Sequence, residues 1–170
     1  MWIHGGGWKG GDKAEFRTTN RKRELLNRGY AVVVINYRLS GEAKFPAQIY
    51  DVKAAIRWVK ANAKTYAMDP EKIGVWGSSA GGHLSALAGV SGNVPDLEDM
   101  SQGNSGFSSN VQVVIDWYGP VDLLKMDEMA IAQGCSGSTH NDATSAESEL
   151  VGYQITTQPD LVAKVSPLTY

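Results

Sequence analysis

Cysteine is nearly missing from this chain: of 170 residues, Cys135 alone carries a thiol. One thiol excludes an internal disulfide and leaves no cysteine neighbours for a metal centre, so the chain is expected to be cytoplasmic. An excess of either charge is missing too, with 16 Lys and Arg against 18 Asp and Glu and a net charge of −2. The one tight basic cluster, Arg21-Lys22-Arg23, is followed at once by Glu24 and reads as a solvated helix face, so no nucleic-acid partner is expected. No apolar run reaches the ~20 residues that a membrane span needs. Internal repeats are absent. What remains, 42% hydrophobic and 20% charged residues, is the composition of a globular chain able to bury a core, and the length suggests one domain over residues 1–170.

Strand and helix patterns alternate. Asp12 to Arg28 reads as a helix with Asp12 as cap, an apolar stripe of Phe16, Leu25 and Leu26, and Gly29 as its stop. Tyr30 to Asn36 is a β-branched run expected to form a strand covered on both faces. Pro46 opens a second helix in which Ile49, Val52, Ile56 and Val59 recur every three or four residues. Lys72 to Gly77 is a second strand, Ala80 to Val90 a small-residue helix, and Val111 to Ile115 a third strand. Between them, Ser91 to Asn110 is rich in Ser, Gly and Asn and is expected to be a mobile surface loop. Two short helical patterns flank the polar segment Gln133 to Ser145. The alternation predicts an α/β layer fold on a parallel sheet.

Two motifs carry chemistry. Gly77-Ser78-Ser79-Ala80-Gly81 is a G-x-S-x-G pentapeptide placed between a strand and a helix. On so sharp a turn, side chains two residues to either side of a nucleophile would collide as the helix folds back over the sheet. Ser79 has glycines at both offsets, whereas Ser78 has Trp76 and Ala80, so Ser79 is the candidate nucleophile. Upstream, His4-Gly5-Gly6-Gly7-Trp8 offers backbone N–H groups unobstructed by side chains, a means of stabilising a developing oxyanion. A flexible surface turn is the plainer reading of the glycines, and a helix cap that of the serine.

Together with Asn36-Tyr-Arg-Leu39, Phe45-Pro46, Asp51, Asp69-Pro-Glu-Lys-Ile73 and Tyr118-Gly-Pro-Val-Asp122, these motifs resemble the α/β-hydrolase esterases. The resemblance is strongest to carboxylesterases similar to hormone-sensitive lipase and to the BD-FAE type of acetyl and feruloyl esterase domain. It implies that Ser79 is the nucleophile, that the N–H groups of Gly6, Gly7 and Ala80 form the oxyanion hole, and that no metal or organic cofactor takes part. It also implies a structural role for Arg38 and Asp51. The fold implied is an α/β-hydrolase, a parallel sheet with helices on both faces, incomplete at both ends. The substrate would be a small-molecule carboxylic ester of acetyl, short-acyl or feruloyl type. An amide hydrolase of arylformamidase or oligopeptidase kind, and a non-catalytic remnant that only binds, stay open.

The family's acid and base contexts do not follow Ser79. His83, one turn into the nucleophile helix, reads as a packed residue, His140 as a solvated loop residue, and His4 as an anchor for the glycines. Asp122 reads as a helix cap, and Asp116 has no better claim to be the acid. The glycine turn at the very start prompts the expectation that the chain is an internal segment of a longer hydrolase. On that expectation it holds the tail of the third strand and the fourth to sixth strands, its base lies elsewhere, and expressed alone it is poorly soluble and inactive. Trp8, Tyr37, Trp117 and Tyr118 fall at strand ends, where they could wall a substrate pocket or simply pack.

Overall fold

In the computed structural model, which describes residues 1–18, 20–137 and 139–170, four strands form one parallel sheet. They are β1 (Trp2–Ile3), β2 (Val34–Ile35), β3 (Gly74–Ser78) and β4 (Val113–Trp117), in the order β2-β1-β3-β4. The esterase resemblance implies a sheet ordered 1-2-4-3-5-6-7-8, in which the third to sixth strands lie in this order. Parallel neighbours need crossovers, and α1 (Asn20–Asn27), α2 (Ala47–Asn62) and α3 (Ala80–Val90) supply them. Beyond β4 follow α4 (Met126–Ala132), α5 (Ala146–Val151) and α6 (Pro159–Ala163). No helix among the described residues is long and apolar enough to cross a membrane.

Strand alternation gives the sheet two unlike faces. Ile3, Ile35 and Val75 enter a core closed by Ile49, Val52 and Ile56 of α2 and Leu84 and Leu87 of α3. On the opposite face Trp2, Trp76 and Trp117 meet edge to face, with ring centroids 4.8 Å and 4.9 Å apart along the row. There Phe16 stacks on Trp2 at 4.6 Å from a 3₁₀ turn, Lys13–Thr18.

Several elements differ from expectation. The helix over Asp12 to Arg28 is divided into that 3₁₀ turn and α1, with Thr19 outside the described residues. Asp12 does cap, accepting the Ala14 N–H at 2.7 Å. The strand expected over Tyr30 to Asn36 shrinks to the two residues of β2, and Tyr30 is exposed. The reason is pairing: β2 lies at the sheet edge, and β1 offers two residues against it. The third strand lies two residues later than read, which brings Trp117 level with Ser78. At this second edge Val113, Val114 and Ile115 stay exposed.

The segment Ser91 to Asn110 is strapped to α2. Lys53 and Arg57 project from that helix with fully buried side chains. Lys53 Nζ lies 3.2 Å from Glu98 Oε2, and Arg57 pairs with the other carboxylate oxygen. Arg57 also donates to the carbonyls of Asp99 (2.7 Å) and Gly103 (3.2 Å), Lys53 to that of Ser91 (2.7 Å), and Ser109 Oγ to Glu98 (2.7 Å). Burial pulls the Lys53 ammonium down from its ordinary pKa, and Glu98 opposes that pull. Removing one partner of a buried ion group strands the others' charge. Glu98→Ala is therefore expected to cost about 3–5 kcal/mol, read as a lowered urea midpoint, whereas Glu24→Ala in the exposed pair with Arg28 should leave the midpoint in place.

Candidate active site

Strand β3 passes into α3 through Ser79, whose backbone sits at φ 54°, ψ −124°, a region that side-chain-bearing residues rarely occupy. Two hydrogen bonds hold it there: the Ser79 N–H donates to the Trp117 carbonyl at 2.9 Å, and the Ser79 carbonyl accepts from the His83 N–H at 2.9 Å. The flanking glycines are required sterically. A Cβ on Gly77 would lie 2.2 Å from the Gly81 carbonyl oxygen, and one on Gly81 would lie 2.1 Å from that of Ile3. Ser78 belongs to β3 and has no share in the bend.

The glycine turn lies directly against this elbow, since a Cβ on Gly5 would come within 3.4 Å of Ser79 Cβ. Gly6 (φ 107°), Gly7 (φ 59°) and Trp8 (φ 57°) all take left-handed backbone. The Gly6 carbonyl accepts from Lys9 and Gly10 at 3.1 and 3.0 Å, closing the turn. Among the described residues the N–H groups of Gly6, Gly7 and Ala80 donate to no protein acceptor. Unspent donors beside a serine are what an oxygen gaining negative charge needs. His4 fixes the start of the turn: its Nδ1 lies 2.8 Å from the Gly5 carbonyl and its ring stacks on Tyr37 at 4.4 Å. The Tyr37 hydroxyl donates to the His4 carbonyl at 3.0 Å, and burial raises its pKa.

His83 is fully buried and both ring nitrogens are engaged. The Trp8 indole N–H can only donate, so His83 Nδ1 accepts it (3.2 Å) and Nε2 must carry the proton, donated to the Val165 carbonyl at 2.8 Å. The ring is neutral, a packed residue and not a base. Desolvation pushes its pKa down to about 4, against a smaller upward pull from the Val165 bond.

Other candidates divide. Asp122 caps the turn after β4, accepting the Leu124 N–H at 3.2 Å. Asp116, raised by burial, accepts the Gly119 N–H at 2.8 Å. Arg38 and Asp51 form an ion pair at 2.8 Å that joins the segment after β2 to α2. Trp8 and Tyr37 are buried, whereas Tyr118 is 79% exposed beside the elbow, with backbone at φ 46°. His140 lies in a loop with its side chain partly open to solvent, as expected, but its Nδ1 lies 3.1 Å from a carboxylate oxygen of the buried Glu147. No motif marks Glu147, and only its place in the first turn of α5 could have drawn notice. Among the described residues no imidazole hydrogen-bonds to Ser79.

A parallel sheet carrying a glycine-framed serine elbow against a glycine turn is the arrangement of the α/β-hydrolases, and the proteins that this chain matches include ester hydrolases. The BD-FAE family model matches residues 1–170, and the chain belongs to that family. It is 36% identical over 126 residues to the probable carboxylic ester hydrolase LipM of Mycobacterium tuberculosis, covering 74% of this chain and 28% of that protein. To the arylacetamide deacetylase of Bos taurus it is 41% identical over 89 residues, or 51% of this chain and 22% of the relative. Among solved structures, a truncated carbohydrate esterase from gut microbiota superposes with a TM-score of 0.87 at 38% identity, over 99% of this chain and 60% of that one. The chain thus spans less than a third of the length of the two named relatives.

The neutral His83 makes stability depend on pH. Its folded pKa, about 4, lies below the 6.5 of the free side chain, so the unfolded chain binds the proton first. The contribution is whole above pH 6.5 and is lost as pH falls towards 4, up to about 3 kcal/mol. Urea midpoints between pH 7 and 4 should fall, and fall less steeply in His83→Gln.

Proposed function

We propose that the chain carries the nucleophile and the oxyanion donors of a serine carboxylesterase. Ser79 Oγ attacks the ester carbonyl, the carbonyl oxygen gains charge within reach of the N–H groups of Gly6, Gly7 and Ala80, and the alcohol leaves as an acyl-enzyme forms. Water then releases the acid. The Ser79 proton passes to a histidine base, a role that no imidazole hydrogen-bonded to Ser79 fills among the described residues. The observation that carries the reading is the strained Ser79 backbone, held by the Trp117 carbonyl against three unspent N–H groups. Such strain persists only where the surrounding structure enforces it, and it concentrates at working sites. The likeness to a carbohydrate esterase supports acetyl, short-acyl or feruloyl esters on a sugar as substrates. The likeness to arylacetamide deacetylase supports amide cleavage as the second reading.

The test is covalent labelling with a fluorophosphonate, followed by peptide mass spectrometry on the full natural polypeptide. Ser79→Ala should lose the label and about 10⁴- to 10⁶-fold in kcat, while Ser78→Ala keeps both. Label retained in Ser79→Ala overturns the assignment. Parallel rates on p-nitrophenyl acetate and p-nitroacetanilide decide between ester and amide. Gly6 is a poor probe of the donors, because a Cβ there would lie 2.3 Å from the Gly10 carbonyl oxygen and distort the turn itself.

A further inference from the structure

His140 is positioned with more care than a loop histidine needs. The Asp127 carboxylate accepts two successive backbone N–H groups, those of His140 at 2.9 Å and Asn141 at 2.8 Å, and so sets the backbone under the ring. Glu147 then sets the ring itself. The Glu147 side chain is 6% exposed, and His140 Nδ1 at 3.1 Å is the hydrogen-bonding partner of its carboxylate. A buried carboxylate is costly unless it is paired, and this one is spent on an imidazole whose side chain remains 39% exposed. With Nδ1 turned to the carboxylate, Nε2 is the ring nitrogen left for a ligand. Among the described residues no group bonds to it.

Glu147 follows directly on a residue that touches the glycine turn of the candidate site. Ala146, the residue before Glu147, has its Cβ 3.3 Å from where a Cβ on Gly7 would be. Two residues past Glu147, Glu149 pairs with Lys9 at 3.1 Å and gives its carbonyl to Lys44 Nζ at 2.9 Å. The first turn of α5 is thus pinned to the same glycine turn that lies against Ser79. A ring nitrogen held in this way close to that turn is suited to a hydroxyl.

We propose that His140, oriented by Glu147, binds the alcohol half of the ester, with Nε2 accepting a hydrogen bond from a sugar hydroxyl. Asp127 and Glu147 are positioning residues. The inference rests on the esterase reading of Ser79, and the experiment separates the two.

Kinetics on the full natural polypeptide compare O-acetylated cellobiose with p-nitrophenyl acetate, which has no sugar. His140→Ala should raise KM for the sugar ester about tenfold with kcat within twofold, and leave both constants for p-nitrophenyl acetate within twofold. Glu147→Ala should show the same split, and Glu147→Gln, whose amide oxygen still accepts from Nδ1–H, should restore KM. Equal losses on both substrates would make His140 structural, or the proton acceptor of Ser79, and overturn the proposal; so would no change on either. Should Ser79→Ala keep full turnover, the esterase reading falls, and a second measurement decides the matter. In Ser79→Ala protein titrated with cellobiose, the ¹⁵N resonance of His140 Nε2 should shift saturably while those of His83 stay still. An unmoved His140 resonance overturns the binding role, also where His140→Ala fails to fold.

Discussion

The close approach of α3 to the strand ends beneath it governs the rest of this structure. At Gly81 the helix backbone comes so near the Ile3 and His4 carbonyls that a methyl group would lie 2.1 and 2.5 Å from their oxygens. At Gly82 it would lie 2.2 Å from Asp116 Oδ1, and at Gly119 a Cβ would lie 2.3 Å from the His83 nitrogen. Three glycines therefore let a helix begin within van der Waals reach of β1 and β4 at once. With both ends of the bend so fixed, Ser79 has no room to relax into ordinary helical or extended backbone. Its strained torsion is the residue of two packing demands met together.

Where the sheet gives no ladder, buried polar side chains give order. Glu98 gathers two cations from α2 and the Ser109 hydroxyl, while those cations take the carbonyls of Ser91, Asp99 and Gly103. Asp127 and Glu147 do the same for the segment between α4 and α5. The buried members of these groups would be liabilities alone in a low-dielectric interior and are tolerable because they are paired. The cost of breaking one is correspondingly local and steep.

These two kinds of order differ in how far the sequence reveals them. The elbow was legible because steric exclusion leaves a residue-type trace: glycine at two offsets from Ser79, and nothing else would fit. The buried stripe of α2 was legible for a like reason, since Ile49, Val52, Ile56 and Val59 recur at the helical period. Lys53 and Arg57 were not, because a cation on a helix ordinarily faces water and nothing local marks these two as inward. The pairing of His140 with Glu147 was hidden similarly, its two members coming together through tertiary folding and no motif. β2 was over-read since a β-branched run reports strand preference, whereas strand length is set by the neighbour, and β1 supplies two residues. The strand order came from the resemblance and not from local pattern.

The His83 ring joins three distant parts of the chain, reaching Trp8 across 75 residues of sequence and Val165 across 82. Read along the direction of synthesis, this orders assembly. The glycine turn leaves the ribosome well before α3, so its tryptophan gains its imidazole partner only after α3 has followed, and that imidazole is locked into one tautomer only once residue 165 arrives. Contacts of such separation form slowly. Until residue 165 is made the glycine turn is thus an unclosed ring of chain, with glycines free to sample many conformations, and the imidazole that holds its tryptophan is fixed by a segment far downstream.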